Sequence, residues 1–305
     1  IRPVSCLGRC DRPVAACASR FSSIHRGSTK DDVHDHCYHG HTVDQLAEVV
    51  GELVAGRVPE PTTDAAAPSN HKSWQIDTSF GKPTYAAAKL VLRQFKQADD
   101  LAEARARLDL IPKLQMAGLR GMGGAGVPAA KKWSDVRAAA GTEKYIVCNA
   151  DESEPATFKD RELLLRTPHL IVEGVILAGL ACGGTHGYIY IRHEYPEQAA
   201  ALREAIAAAE KLGVCGANVG GTGLDFPVSV FVSPGGYICG EQSALIEAME
   251  GHRAQPRNRP PELATNGLFD KPTLVSNVET FSWVPGIMLH TVLDAGSPLN
   301  WYGSK

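Results

Sequence analysis

Two kinds of apolar run alternate through the second half of the chain. "KYIVCNA" (144–150) and "GYIYIR" (187–192) are short and rich in β-branched and aromatic residues, which predicts strands. Between them "HLIVEGVILAGLACG" (169–183) is longer, interrupted only by Glu173 and glycines, and predicts a buried helix. "EQAAALREAIAAAEKLG" (197–213) carries polar residues along one side and stops at Gly213, the pattern of an amphipathic helix. "VSVFVSPGGYICGEQSALIEAMEG" (228–251) then gives strand, glycine turn and helix. Strand and helix in turn predict an α/β fold.

Upstream, the Ala/Leu/Arg/Lys-rich stretch from about 84 to 110 predicts a packing helix, and "PAAKKWSDVRAAA" (128–140) a second one with Pro128 near its start. "TVDQLAEVVGELVAG" (42–56) has helical spacing and ends in glycine. Residues 59–83 are rich in Pro, Ala, Ser and Thr and read as a linker after a small unit spanning 1–58; the second unit covers 84–290. Residues 286–305 carry too little pattern to assign, and 291–305 are expected to open a further, truncated domain, the chain being a piece of something longer.

Composition narrows the function classes. The 305 residues have a formal net charge of −3 with mixed signs, which gives no basic field for nucleic acid. No apolar run reaches the ~20 residues needed to span a bilayer. Eight cysteines, at 6, 10, 17, 37, 148, 182, 215 and 239, are too sparse for a disulfide scaffold. Cys148 and Cys182 lie in apolar runs and read as buried structural thiols.

Three stretches carry candidate chemistry. "GLRGMGGAGVPAAKKW" (118–133) places Gly121, Gly123, Gly124 and Gly126 just before a predicted helix, as a phosphate cradle would, or as a tight turn under close packing would. It is not a P-loop, because Val127 and Pro128 follow where Lys and Ser or Thr belong, and no strand precedes it as in a dinucleotide-binding turn. "NADESEPATFKDR" (149–161) crowds Asp151, Glu152, Glu154 and Asp160 after a strand, a ligand position in α/β folds, a solvated turn, or, least readily, a hard-metal site. "GGYICGEQSALIEAMEGHRAQPRNRPP" (235–261) sets Glu241 and Gln242 at a helix start, followed by Arg253, Arg257 and Arg259, which either pair with phosphate or decorate a Pro-rich loop.

Together and in this order, these stretches and "KPTLVSNVET" (271–280) resemble the NADH-binding flavoprotein subunits of the complex I family, over roughly residues 115–290. That family includes the complex I flavoprotein, the flavin subunit of NAD-dependent formate dehydrogenases and the diaphorase subunit of NAD-linked hydrogenases. The resemblance implies a Rossmann-like FMN-binding domain in which NADH lies over the flavin. A hydride would pass directly from nicotinamide to flavin, and electrons singly to iron–sulfur clusters; no side chain is catalytic.

Matched motif by motif, it assigns Gly121, Gly123, Gly124, Gly126 and Lys132 to the FMN loop. Asn149, Asp151, Glu152 and Ser153 match flavin contacts, and Glu154 the acid that orients the nicotinamide. Tyr237, Gly240 and Glu241 match the second wall, and Ser276 and Asn277 the last FMN-binding turn. Met122, Val127 and Gln242 depart from residues frequent in the family, Arg, Phe and a second Glu. Met122 and Gln242, with "IRHEYPEQ" and "RNRPPELATNGLFDKPTL", are most similar to the formate dehydrogenase and hydrogenase branch; the alternative that all three departures raise is a non-catalytic scaffold with the same fold.

The resemblance extends to the amino-terminal unit, where "CLGRC" is similar to the second cysteine pair of a thioredoxin-like domain, making Cys6 and Cys10 would-be ligands of a 2Fe-2S cluster in an intact parent. The family's 4Fe-4S cluster is expected beyond residue 305. Iron–sulfur and catalytic subunits of a multi-subunit redox complex are the implied partners, without nucleic acid or direct membrane insertion. The implied location is the cytoplasm, free or at the cytoplasmic face of a membrane complex.

Overall fold

The computed structural model describes residues 16–21, 33–62, 76–77 and 82–293. Cys6 and Cys10, and residues 294–305, lie outside the described residues. In the first unit, strands β1 (Ala16–Phe21) and β2 (Val33–Tyr38) pair antiparallel and are followed by helix α1 (Val43–Val54). Thr42 and Gln45 close a reciprocal capping box at the start of α1. Within the expected linker, Ile76 and Asp77 are buried, and Asp77 reaches His169 at 3.3 Å, so the stretch is anchored there.

The single helix expected over 84–110 is two, α2 (Ala86–Lys96) and α3 (Leu101–Arg107), and a further helix, α4 (Leu110–Met116), starts where it was expected to end. The side chain of Asp100 accepts the Glu103 N–H at 2.7 Å, so a residue read as part of a helix caps a new one. The glycine loop and α5 (Ala129–Ala138) come next. Then follow β3 (Tyr145–Ala150), α6 (Lys159–Arg166), α7 (Pro168–Cys182), β4 (His186–Ile191), α8 (Pro196–Lys211), β5 (Val228–Val232), α9 (Gln242–Met249), β6 (Thr273–Asn277) and α10 (Val278–Leu293). The expected boundary at 290 falls inside α10.

The main sheet is parallel throughout, in the order β5-β4-β3-β6. From β3 the chain winds outward through β4 to β5, then returns to the other side of β3 as β6. Winding therefore reverses between β3 and β6, and the crevice outside their carboxyl ends is where open α/β sheets bind ligands. The register pairs Cys148 with Ser276 and Asn149 with Asn277 at that end.

Alternation along the strands sorts side chains into two layers. Ile146, Cys148, Ala150, Ile189, Ile191 and Leu274 join the helix-rich core with Val175, Leu202 and Phe281. Tyr145, Val147, Tyr190 and Val275 face the opposite way and pack with Leu245 and Ile246 of α9. Helix α7 is apolar all round because it is buried nearly all round, with every residue from His169 to Cys182 buried. At its crossing with α10, a Cβ on Gly174 would stand 2.2 Å from the Phe281 carbonyl oxygen, so only glycine permits the approach. Among the described residues no single helix is long and apolar enough to cross a membrane.

Candidate functional site

At the β3/β6 switch point lies a cleft of about 420 Å³, lined by Gly123, Gly124, Asn149, Asp151, Glu152, Ser153, Glu154, Tyr237, Gly240, Glu241 and Asn277 among others. A smaller cavity of about 70 Å³ shares Gly123, Asn149, Gly240 and Asn277 with it and adds Gly121, Gly126, Lys132 and Ser276. The structure thus brings every residue of the second unit that the resemblance assigns to the site to one place.

The glycine loop is a closed hairpin. Gly121 N–H donates to the Val127 carbonyl at 2.8 Å, Ala129 N–H to Leu119 at 2.9 Å, and Met122 N–H to the Thr280 hydroxyl at 3.0 Å. Gly124 has φ +108° and Gly126 φ +62°, and a Cβ on either would meet nothing within 4 Å. Positive φ requires glycine here, and the space beside Gly124 is the cleft itself. The loop is preceded by α4 rather than a strand, so it reaches the crevice from outside the sheet.

Directly after the loop, α5 begins without a side-chain cap and without an acidic residue in its first turn. Such a helix end offers N–H groups and a positive dipole to an anion. Lys132, half-buried beside it, donates to Gln242 Oε1 at 3.0 Å and to the Val275 carbonyl. An ammonium has three protons, so one has no acceptor among the described residues and is left for the cavity. Burial, helped by Arg259, lowers the Lys132 pKa to about 8.

The acidic stretch is held from several sides. Asn149 Nδ2 donates to the Gly240 carbonyl at 3.0 Å and its Oδ1 accepts the Asp151 N–H at 3.0 Å, joining the two walls. The buried Arg192 forks onto Glu194 at 2.7 and 3.1 Å and reaches the Glu152 carbonyl at 2.7 Å. Asp151 Oδ2 accepts the Ser153 hydroxyl at 2.5 Å, while its Oδ1 is buried with no partner among the described residues. Burial raises the Asp151 pKa to about 6, against the opposing pull of Ser153 and Arg192.

Two predicted contacts also cap helices. Glu152 accepts the Asp160 and Arg161 N–H groups of α6 at 2.8 and 3.0 Å, and burial together with Asp160 raises its pKa to about 7. Glu241 accepts the Ser243 and Ala244 N–H groups of α9, both at 2.9 Å. Across the mouth, the Tyr237 hydroxyl donates to Glu154 Oε2 at 2.6 Å, which raises the tyrosine pKa.

Sequence reasoning missed Lys159, Thr157 and Ile238 as lining residues and gave Asp160 no binding role. The signal for Lys159 was its place in "ATFKDR", directly after the acidic loop. Arg253, Arg257 and Arg259 line neither cavity. Arg257 pairs with Glu247 and Glu250, and Arg259 with Glu241 at 3.1 Å.

Comparison with known proteins places this geometry. The chain is 46% identical over 185 residues to an NADH-quinone oxidoreductase subunit of Salmonella typhimurium, covering 60% of this chain and 42% of that protein. It is 48% identical over 180 residues to the like-named protein of Aquifex aeolicus, covering 59% and 42%. The chain therefore spans about two fifths of the length of the curated relatives it matches. Among solved structures, an NAD+-reducing NiFe hydrogenase in the H2-reduced state superposes with a TM-score of 0.70 at 30% identity, covering 93% of this chain and 44% of that one. The family model described as the Nuo51 FMN-binding domain matches residues 114–286, more than half of the chain and the whole of the cleft, and the protein belongs to that family.

Proposed function

We propose that the cleft binds FMN and admits NAD(H) beside it, making the chain an NADH:FMN oxidoreductase module of a multi-subunit redox assembly. The observation that carries the reading is the bare backbone of Gly124 open to a 420 Å³ cleft at the switch point, which Gly123 also lines while resting against Asn277. The donor set fits FMN. The third proton of Lys132 and the uncapped start of α5 suit a phosphate; Asn149, Ser153 and Asp151 Oδ1, which has no partner among the described residues, suit hydroxyls and ring edges; Ile238 and Met122 supply apolar surface.

When bound, FMN would supply two-electron exchange with nicotinamide and one-electron exchange with iron–sulfur clusters. The protein's own contribution is positioning. The hairpin fixes the loop, Arg192 and Asn149 fix the acidic stretch, and Glu154, held by Tyr237, stands at the mouth as the group that would orient the nicotinamide. Glu152 and Glu241 set the starts of α6 and α9.

The finer assignment is to the formate dehydrogenase and hydrogenase branch, supported by Met122, Gln242 and the hydrogenase neighbour. Iron–sulfur and catalytic subunits would be the partners, with a 2Fe-2S cluster on Cys6 and Cys10 in the intact parent and a 4Fe-4S cluster in the remainder of the protein. The test is to purify the chain, titrate it with FMN by fluorescence quenching, and add NADH anaerobically. No FMN binding would leave only the scaffold reading; binding without bleaching by NADH would limit the site to flavin retention.

A further inference from the structure

Among the described residues, Lys159 is the one cation lining the larger cleft, which Asp151, Glu152, Glu154, Asp160 and Glu241 also line. A lysine so placed suggests a contact to an anionic ligand, and its hydrogen bonds argue otherwise. Nζ lies 2.6 Å from Asp160 Oδ1, 3.0 Å from Asn277 Oδ1 and 3.1 Å from Glu279 Oε2. Asp160 and Asn277 each accept an ammonium proton and the Glu279 carboxylate pairs with the same charge, so Lys159 is engaged by protein groups on three sides.

The same bonds orient Asn277. Its Oδ1 receives Lys159 Nζ and the Glu279 N–H, both at 3.0 Å, and its Nδ2 donates to Asp160 Oδ2 at 2.7 Å. A flipped amide would set its NH2 against two donors and its oxygen against a carboxylate, so the orientation is fixed by chemistry. One Nδ2 proton has no acceptor among the described residues, and Asn277 lines both cavities. A Cβ on Gly123 would come within 3.3 Å of Asn277 Cβ, so the glycine loop rests on this side chain.

We propose that Lys159 is a positioning residue: held by hydrogen bonds to Asp160 and Asn277 and by an ion pair with Glu279, it locks the Asn277 amide so that a single N–H donor is presented to the ligand in the cleft. This rests on the FMN reading. In contrast to Lys132, whose spare proton addresses the ligand directly, Lys159 acts through its neighbour.

A double-mutant cycle tests it by FMN fluorescence quenching. Lys159→Met and Asn277→Ala should each weaken FMN binding about tenfold, the equivalent of one positioned hydrogen bond, and the double variant should be no weaker than either single. Effects that multiply would show Lys159 contributing on its own and overturn the proposal, as would a Lys159→Met variant within twofold of wild type. If the Met variant lacks a cooperative melt, Lys159→Gln, which lacks the charge that pairs with Asp160 and Glu279, takes its place in the cycle.

The Asn277 side-chain amide gives a second readout by 15N NMR. Without FMN, wild type should show two well-separated proton resonances that merge towards exposed-amide values in the Lys159 variant; with FMN, the proton not bonded to Asp160 should move more. An amide unaffected by the Lys159 substitution would overturn the proposal even if wild type failed to bind FMN, whereas failure of wild type to bind FMN would refute the functional reading alone.

Discussion

Gly124 and Gly174 are chemically the same residue with opposite structural reasons, and substituting each separates the site from the scaffold. At Gly124 a side chain meets no protein atom within 4 Å, but φ is +108° and the space it enters belongs to the cleft. Gly124→Val should therefore cost only backbone strain, about 1–3 kcal/mol, or a melting temperature lower by roughly 3–10 °C. Three carbons placed in the cleft should raise the FMN dissociation constant at least about 100-fold, the equivalent of ~2.7 kcal/mol. At Gly174 the new Cβ would sit 2.2 Å from the Phe281 carbonyl, so Gly174→Ala must separate α7 from α10. Overpacking of that kind costs about 3 kcal/mol or more, while the folded fraction should bind FMN as wild type does. The assay is a thermal melt and an FMN titration on each purified variant. A folded Gly124→Val protein with FMN affinity within threefold of wild type would refute the placement of the loop, and equal loss of affinity in both variants would refute the separation.

Other predictions follow from individual groups. Glu154→Gln should leave FMN bound and slow reduction of the flavin by NADH in stopped-flow absorbance; loss of flavin first would show Glu154 to be a flavin contact. Lys132→Met should weaken FMN binding by about 10–100-fold with little change in melting temperature, read by the same titration. Asp151, Glu152 and Glu173 are raised by burial to about 6, 7 and 7, so the folded state binds more protons than the unfolded state between ordinary carboxylate values and about pH 7. Stability should thus fall as pH rises from 5 to 7.5, by on the order of a few kcal/mol, against a smaller opposite contribution from His186, whose pKa burial lowers. Glu173, which accepts the Ala88 N–H at 3.0 Å, should carry part of that slope, and Glu173→Gln should flatten the melting-temperature profile; an unchanged profile would contradict its assignment.

The elements were legible wherever burial and periodicity agreed. "KYIVCNA" and "GYIYIR" are strands buried on both faces, and the continuous apolar run of α7 reflects its place in the middle of the helix layer. The reading of 84–110 as one helix failed because Asp99 and Asp100 sit among strong helix formers, and the capping bond of Asp100 is visible only once the chain has turned. The site was legible as motifs but not as a division of labour. Nothing in "NADESEP" or "GEQ" says that Glu152 and Glu241 also cap α6 and α9, since capping depends on which helix starts fold back onto those carboxylates. Lys159 was overlooked for a similar reason: its meaning comes from Asn277 and Glu279, more than a hundred residues away in sequence.

Anaerobic addition of NADH to the FMN-loaded chain, followed by visible absorption, tests the central claim most directly. FMN should bind with stoichiometry near one, NADH should bleach the flavin band, and air should restore it. A chain that binds FMN at this cleft yet stays oxidised under excess NADH would contradict the oxidoreductase assignment.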